Sequence, residues 1–286
     1  MWGILRAPFP AWQQETGKKI LFRLMVAGLA AALSAGAAAG GLLNRDRVLI
    51  GGKTYFVQNA NRAWSLTTEG GDPPCIFQFE VRSGDRWIQE TQTDHVERSE
   101  VESPTDETNA ARDGQNVWTA YQFKIEPGLP STAKWVVLGD WHVRPDAGDI
   151  LPISSPWQIE LRPGDFLVFD MRASTEKPIL HNAPEQHIWT SPAPIARGVW
   201  HSLVSVADFD WRARGGGGVT VWLDGAKVAD YRGPFGYNNA RQPYFKFGIY
   251  REAAPETLAV DYANVDTSEA SLDARIHAPR PICGRK

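Results

Sequence analysis

The segment Pro243 to Arg251, PYFKFGIYR, alternates so regularly that it constrains what the rest of the chain can build. Successive side chains of a strand point to opposite faces. Phe245, Phe247 and Ile249 therefore share one face, and Tyr244, Lys246, Gly248 and Tyr250 share the other. The first set is a core face. The second is odd for a purely structural strand, because glycine weakens a strand unless something approaches it closely, and a polymer lying across the sheet would be such a thing. Lys246 and Tyr250 are separated by roughly 13 Å along the strand, a span nearer to that of neighbouring sugar units than of one small molecule. A half-exposed strand with an amphipathic lysine is the plainer alternative.

The same two-residue period recurs along the chain. Lys53 to Gln58, Cys75 to Arg82, Val117 to Ile125, Trp157 to Leu161, Phe166 to Arg172, Val199 to Val206 and Leu258 to Val265 all read as strands. In His95 to Glu102 the period puts Arg98, Glu100 and Glu102 on one face, with a carboxylate placed to hold the guanidinium rigid. In Trp135 to Val143 it puts Val136, Leu138, Asp140 and His142 on one side, and Trp135, Val137, Trp141 and Val143 on the other. Arg162-Pro163-Gly164-Asp165 and Asp224-Gly225 are hairpin turns. Ser103 to Asn116 and the Pro-rich Ser174 to Pro194 read as loops, which makes His181 and His187 loop histidines without a partner at metal spacing. Roughly ten strands with no helical period beyond the leader predict an all-β sandwich of two antiparallel sheets with a concave outer surface. The expected division is a leader over 1–39, a lead-in over 40–52, one β domain over 53–269 and a tail over 270–286.

Lys18, Lys19 and Arg23 precede an apolar, Ala-rich run that ends in Ala37-Ala38-Ala39-Gly40. This is the layout of a signal peptide cleaved near Ala39, which predicts a secreted or periplasmic protein. An uncleaved membrane anchor is the other reading, because Ile20 to Leu43 is long enough to span a bilayer. Losing residues 1–39, with four Lys/Arg and one Glu, would take the formal charge from −3 to −6. An acidic mature chain offers no broad field for nucleic acid, so an anionic ligand must meet a local cluster of cations. The two cysteines, Cys75 and Cys283, are too few for a zinc site. In an exported protein they either form a disulfide joining the ends of the domain or remain two buried thiols. The glycines at 215 to 218 carry no Lys-Ser/Thr and open no helix, which argues against a phosphate loop. With 12 Trp the composition suits stacking on sugar faces, although any one of them is more simply a core residue.

Taken together, ERSE at 97–100, DWH at 140–142, WH at 200–201, VWLDGAKVADYRGP at 221–234 and YFKFGIYR at 244–251 resemble polysaccharide lyases of the heparin lyase I type. More distantly, RSE and YFK-x-G-x-Y resemble the jelly-roll alginate and glucuronan lyases. The resemblance covers most of residues 75 to 265. It implies a concanavalin-like β-jelly roll that cleaves acidic, uronate-containing polysaccharides by β-elimination, as a monomer and without a required cofactor. Calcium is the one ion the analogy offers, with Asp208 and Asp210 as ligands. The resemblance carries the catalytic pair onto His142 and Tyr250, and the basic positions onto Arg98 and Lys246. Glu100, Asp140 and Tyr244 complete the expected substrate-binding set.

Elimination needs three things: neutralisation of the uronate carboxylate, removal of the C5 proton, and protonation of the leaving O4. Arg98 can clamp the carboxylate, Lys246 can lower the local cost of negative charge, His142 can neutralise as imidazolium or act as base, and Tyr250 can move protons. The family usually has Gln two residues before the His, where this chain has Asp140. A charged Asp140 is expected to hold His142 protonated, which leaves proton transfer to Tyr250. A non-catalytic carbohydrate-binding module of the same fold is the alternative function. A retaining glycosidase would need two closely spaced carboxylates, and no E-x-D-x-x-E strand is present.

Overall fold

The computed structural model describes residues 41–89, 95–104, 114–212, 214, 216–278 and 281. Two antiparallel sheets pack face to face. The first has eight strands in the spatial order β1 (Arg47–Ile50), β2 (Lys53–Asn59), β5 (Val96–Glu102), β16 (Tyr244–Glu252), β7 (Val136–His142), β8 (Trp157–Arg162), β9 (Phe166–Met171) and β11 (Gln186–Thr190). The second has seven, ordered β14 (Ala226–Arg232), β13 (Gly218–Leu223), β12 (His201–Asp208), β6 (Val117–Ile125), β17 (Leu258–Ser268), β4 (Ile76–Val81) and β3 (Leu66–Glu69). A short parallel pair, β10 (Ala173–Ser174) with β15 (Gly236–Tyr237), lies outside both. The expected sandwich is therefore present. The lead-in already contains β1, and β11 runs through the stretch that the sequence reads as irregular loop.

The alternating residues meet between the sheets. Phe247 of β16 packs edge-on against Tyr55 (ring centroids 5.4 Å) and Phe79 (5.6 Å), and against Tyr262 of β17 at 5.2 Å. The Asp224-Gly225 turn joins β13 to β14 with both residues at positive φ, as a two-residue hairpin of this twist requires. Cys75 is disulfide-bonded. Cys283, its expected partner, and the leader lie outside the described residues. No helix among the described residues is long and apolar enough to cross a membrane.

Two local departures from a plain strand shape the site. The alternation of β7 breaks at Leu138–Gly139, where a bulge interrupts the pairing with both β8 and β16. Val136, Leu138 and Trp141 all reach the core, so Val137 shares the outer face with Asp140 and His142, contrary to the period read from sequence. Carbonyls released from a ladder need another partner when buried. The Tyr262 hydroxyl supplies one from the opposite sheet, 2.8 Å from the oxygens of both Leu138 and Gly248. Gly248 has φ +132°, and a Cβ there would lie 2.5 Å from the Cα of Glu100. What approaches this glycine is the neighbouring strand, not a polymer.

Candidate active site

The outer face of β5, β16 and β7 gathers the polar residues in cross-strand rows. Tyr250 pairs with Arg98 and Val137, Gly248 with Glu100, Lys246 with Asp140 and Glu102, and Tyr244 with His142. Six of the expected residues, Arg98, Glu100, Asp140, His142, Lys246 and Tyr250, line one cleft of about 410 Å³. Glu100 accepts from Arg98 Nη1 at 2.8 Å and takes the Lys246 ammonium at 2.6 Å. Gln58 of β2, unmarked by any sequence motif, accepts from both cations, at 2.9 Å from Arg98 and 3.1 Å from Lys246. The Arg98 guanidinium lies 4.3 Å from the centre of the Tyr250 ring, and Trp135 stands 4.9 Å from the same ring. Tyr244 is not among the residues lining the cleft. It buttresses the His142 ring at 5.5 Å and is itself covered by Arg144 at 5.0 Å.

The charges differ from the sequence-based expectation. Burial, helped by the nearby Lys246 charge, lowers His142 to about 4 and outweighs the pull of Glu100. The imidazole is therefore neutral, and Asp140 does not hold it protonated. Its Nδ1 lies 2.9 Å from the Val143 carbonyl oxygen. An acceptor there puts the proton on Nδ1 and leaves Nε2 as the basic nitrogen. Burial raises the Asp140 carboxyl to about 7, with Lys246 pulling it down and Glu100 pushing it up. The Ser155 hydroxyl donates to Asp140 Oδ2. Glu100 is buried as well, but Lys246 and Arg98 outweigh that and hold it below the ordinary carboxylate range.

A polysaccharide lyase profile matches residues 57–271. The chain belongs to the polysaccharide lyase family. No curated protein matches it. Among solved structures, the lyase is similar to an endo-β-1,4-glucuronan lyase from the fungus Trichoderma reesei, with TM-score 0.56, 16% identity, and coverage of 78% of this chain and 90% of that one. It is also similar to alginate lyase A1-II′ of polysaccharide lyase family 7, with TM-score 0.51 and 14% identity over 71% of this chain and 82% of that one. An alginate lyase from Pseudomonas aeruginosa matches with TM-score 0.50 and 12% identity over 75% and 97% of the two chains. These likenesses give the lyase its jelly-roll fold. The profile fixes the family and does not single out the heparin lyase I type.

The lyase cleft continues over β8 and β9 to a second group of charges. Arg162 Nη2 lies 3.0 Å from both Glu160 Oε2 and Asp170 Oδ2, and 2.6 Å from Glu185 Oε1. Arg172 also pairs with Glu185. His187 is not a loop histidine: it sits on β11 with its Nδ1 against Asp170. Asp170, Glu185 and His187 have ligand atoms within 4.8 Å of one another and are the described residues that could hold a metal. The pair offered for calcium differs, since Asp210 is held by Arg212 at 2.7 and 2.9 Å. The sequence reading missed Gln58, Ser155, Trp135 and this second group. Only Gln58, at the end of an alternating strand, had a usable signal.

Proposed function

We propose that this lyase cleaves a uronate-containing polysaccharide by β-elimination, with His142 as base and Tyr250 as acid. The observation that carries the reading is the convergence of two cations, a neutral imidazole and a phenol in one cleft. A uronate carboxylate would meet Arg98 and Lys246, which withdraw charge from it and so acidify C5–H. His142 Nε2, with its partner nitrogen tied to Val143, has a lone pair for that proton. An anionic sugar beside Lys246 would offset the charge that depresses this imidazole and restore its basicity. Tyr250 would protonate O4 as the C4–O4 bond breaks. The guanidinium over its ring favours the negative charge that then develops on the phenol oxygen. Val137, the register partner of Tyr250, lies five residues from His142, about 16 Å along the strand, so the two groups would reach the sugar from opposite ends of the cleft.

The heparin lyase I likeness would admit sulfated polymers. Arg98 and Lys246 already share Glu100, which suits one carboxylate per sugar better than dense sulfation, and glucuronan or alginate is the expected substrate. The charged, Ala-rich leader supports export. Screening acidic polysaccharides for the ultraviolet absorbance of newly formed unsaturated ends tests the reading, with Tyr250→Phe as the control. Binding without new absorbance would favour a carbohydrate-binding module instead.

A further inference from the structure

The part of the cleft wall built by β5, β16 and β7 contains two cations and two carboxyl groups, but the pairing is uneven. Glu100 accepts from both Arg98 and Lys246. Asp140 sits directly across the ladder from Lys246 and is 4% exposed, yet Lys246 makes its ion pair with Glu100. The partner Asp140 does have is the Ser155 hydroxyl, and both residues line the cleft. Its other charged or titratable surroundings are His142 on its own strand, Tyr244 on β16, Arg98, Glu100 and Glu102 on β5, and Tyr121 beneath it from β6. On β8 there is Glu160, and just beyond the end of β9 there is Arg172, which bonds to Gln158 and to the Ser155 carbonyl.

If both carboxyls were ionised, this part of the wall would carry no net charge, since His142 is neutral. An entering uronate would then set three carboxylates against two cations, and with Glu100 and Asp140 both buried in the wall such like charges are strongly unfavourable. With one carboxyl protonated, a wall of net charge +1 meets a ligand of charge −1. Glu100 cannot be the protonated one, because two cations are already bound to it.

We propose that Asp140 recognises the uronate carboxylate as a carboxylic acid, donating its O–H to it, so that substrate binding is linked to uptake of a proton. The proposal rests on the uronate reading above. Burial already places this carboxyl near 7 before any ligand arrives, and an incoming carboxylate pushes it further in the same direction. In this role the residue is a pH-dependent determinant of specificity: it disfavours neutral sugars and works only while it holds its proton.

Two measurements test this. The Tyr250→Phe chain is titrated by calorimetry at about pH 8 in phosphate and in Tris, with the tetrasaccharide of whichever uronate polymer the screen shows to be cleaved. The dependence of heat on buffer should report nearly one proton taken up per site; no uptake would overturn the proposal. In parallel, kcat/KM is followed against pH for the wild type and for Asp140→Asn, which keeps a neutral donor at every pH. The wild type should fall by about tenfold per pH unit on the basic side while Asp140→Asn stays flat. A parallel fall in both would assign the limb to another group, such as Glu160, which burial raises to about 8 in the same cleft, and would overturn it too. If no uronate polymer is cleaved or bound, the functional reading fails and this inference with it. If cleavage proceeds without proton uptake, this inference alone fails.

Discussion

Strands β5 and β16 carry two arginine–glutamate clusters at adjacent register positions, and the two are built to opposite ends. On the inner face Arg251 lies opposite Glu97, both essentially inaccessible, with Arg251 Nε donating at 2.8 Å. Its Nη2 reaches the Glu256 carbonyl at 2.8 Å, while the Glu256 carboxylate accepts from Thr132 at the backbone (2.8 Å) and at the hydroxyl (2.7 Å). One cation is enclosed by acids that are themselves hydrogen-bonded. On the outer face, Arg98 and Lys246 share one ionised acid, and the second carboxyl is pushed toward its neutral form. The inner cluster has no charge left to offer. The outer one keeps a surplus positive charge facing a cleft, and that surplus separates a recognition site from a structural clamp.

The sharpest way to break this contrast is through Tyr250, which stands over the outer cluster. Tyr250→Phe removes one hydroxyl and should lower kcat by about 10³-fold, within the range for a general acid, while the chain still folds. An enzyme that remains active would remove Tyr250 from the chemistry. Next is the comparison of the two arginines. Arg251→Ala strands two buried carboxylates and should cost about 3–5 kcal/mol in urea unfolding. Arg98→Ala leaves Glu100 with Lys246 and should cost at least about 2 kcal/mol less, its main effect being a raised KM. Equal losses of stability would mean that the outer cluster is structural as well.

The outer cluster should also weaken the fold as pH rises. The folded-state pKa of Asp140 is raised to about 7 from an ordinary value of 3.8. The contribution of this group is therefore fully favourable below the unfolded value and is lost as pH climbs to the folded one. Asp140→Asn should match the wild type near pH 4 and exceed it by a few kcal/mol, on the order of 2, at about pH 8. Thermal melts at the two pH values check this. A variant no more stable than the wild type at high pH would mean that the carboxylate is solvated in place.

The sequence showed the strands and faces of β16 and β5 because their alternation is unbroken, with Lys246 and Tyr250 on one face of the first and Arg98 and Glu100 on one face of the second by that period alone. It could not show the bulge at Leu138–Gly139. A straight two-residue period assigns Val137 to the wrong side, and the bulge depends on where β8 and β16 pair. Gly248 was recognised as a close approach but matched to the wrong neighbour, since strand adjacency is not local information. The protonation of His142 was misjudged for a related reason. Asp140, two residues away, is the neighbour visible in the sequence, whereas burial and Lys246, more than a hundred residues away, decide the outcome. Asp170 and His187 likewise meet only because β9 pairs with β11.

That last pair belongs to a third cluster, which lines the cleft like the outer one but, like the inner one, has no cation to spare. Burial raises Glu160 to about 8, against Arg162 and with Asp170 and Glu185 adding to the rise, so Asp170 and Glu185 are left to Arg162 and Arg172. The guanidinium of Arg162 already occupies the position among these carboxylates that a divalent ion would need. His187, with half its side chain exposed, adds peripheral contacts to Asp170 and, at 3.5 Å, to Glu185. His187→Ala should therefore leave activity within about twofold and stability within about 0.5 kcal/mol, as expected for a surface partner. Chelation by EDTA should shift the melting temperature by less than about 1 °C, because no binding energy would be withdrawn from the folded state. A fall of about 5 °C, restored by calcium, would instead mean that a metal organises Asp170, Glu185 and His187 and that Arg162 gives way to it.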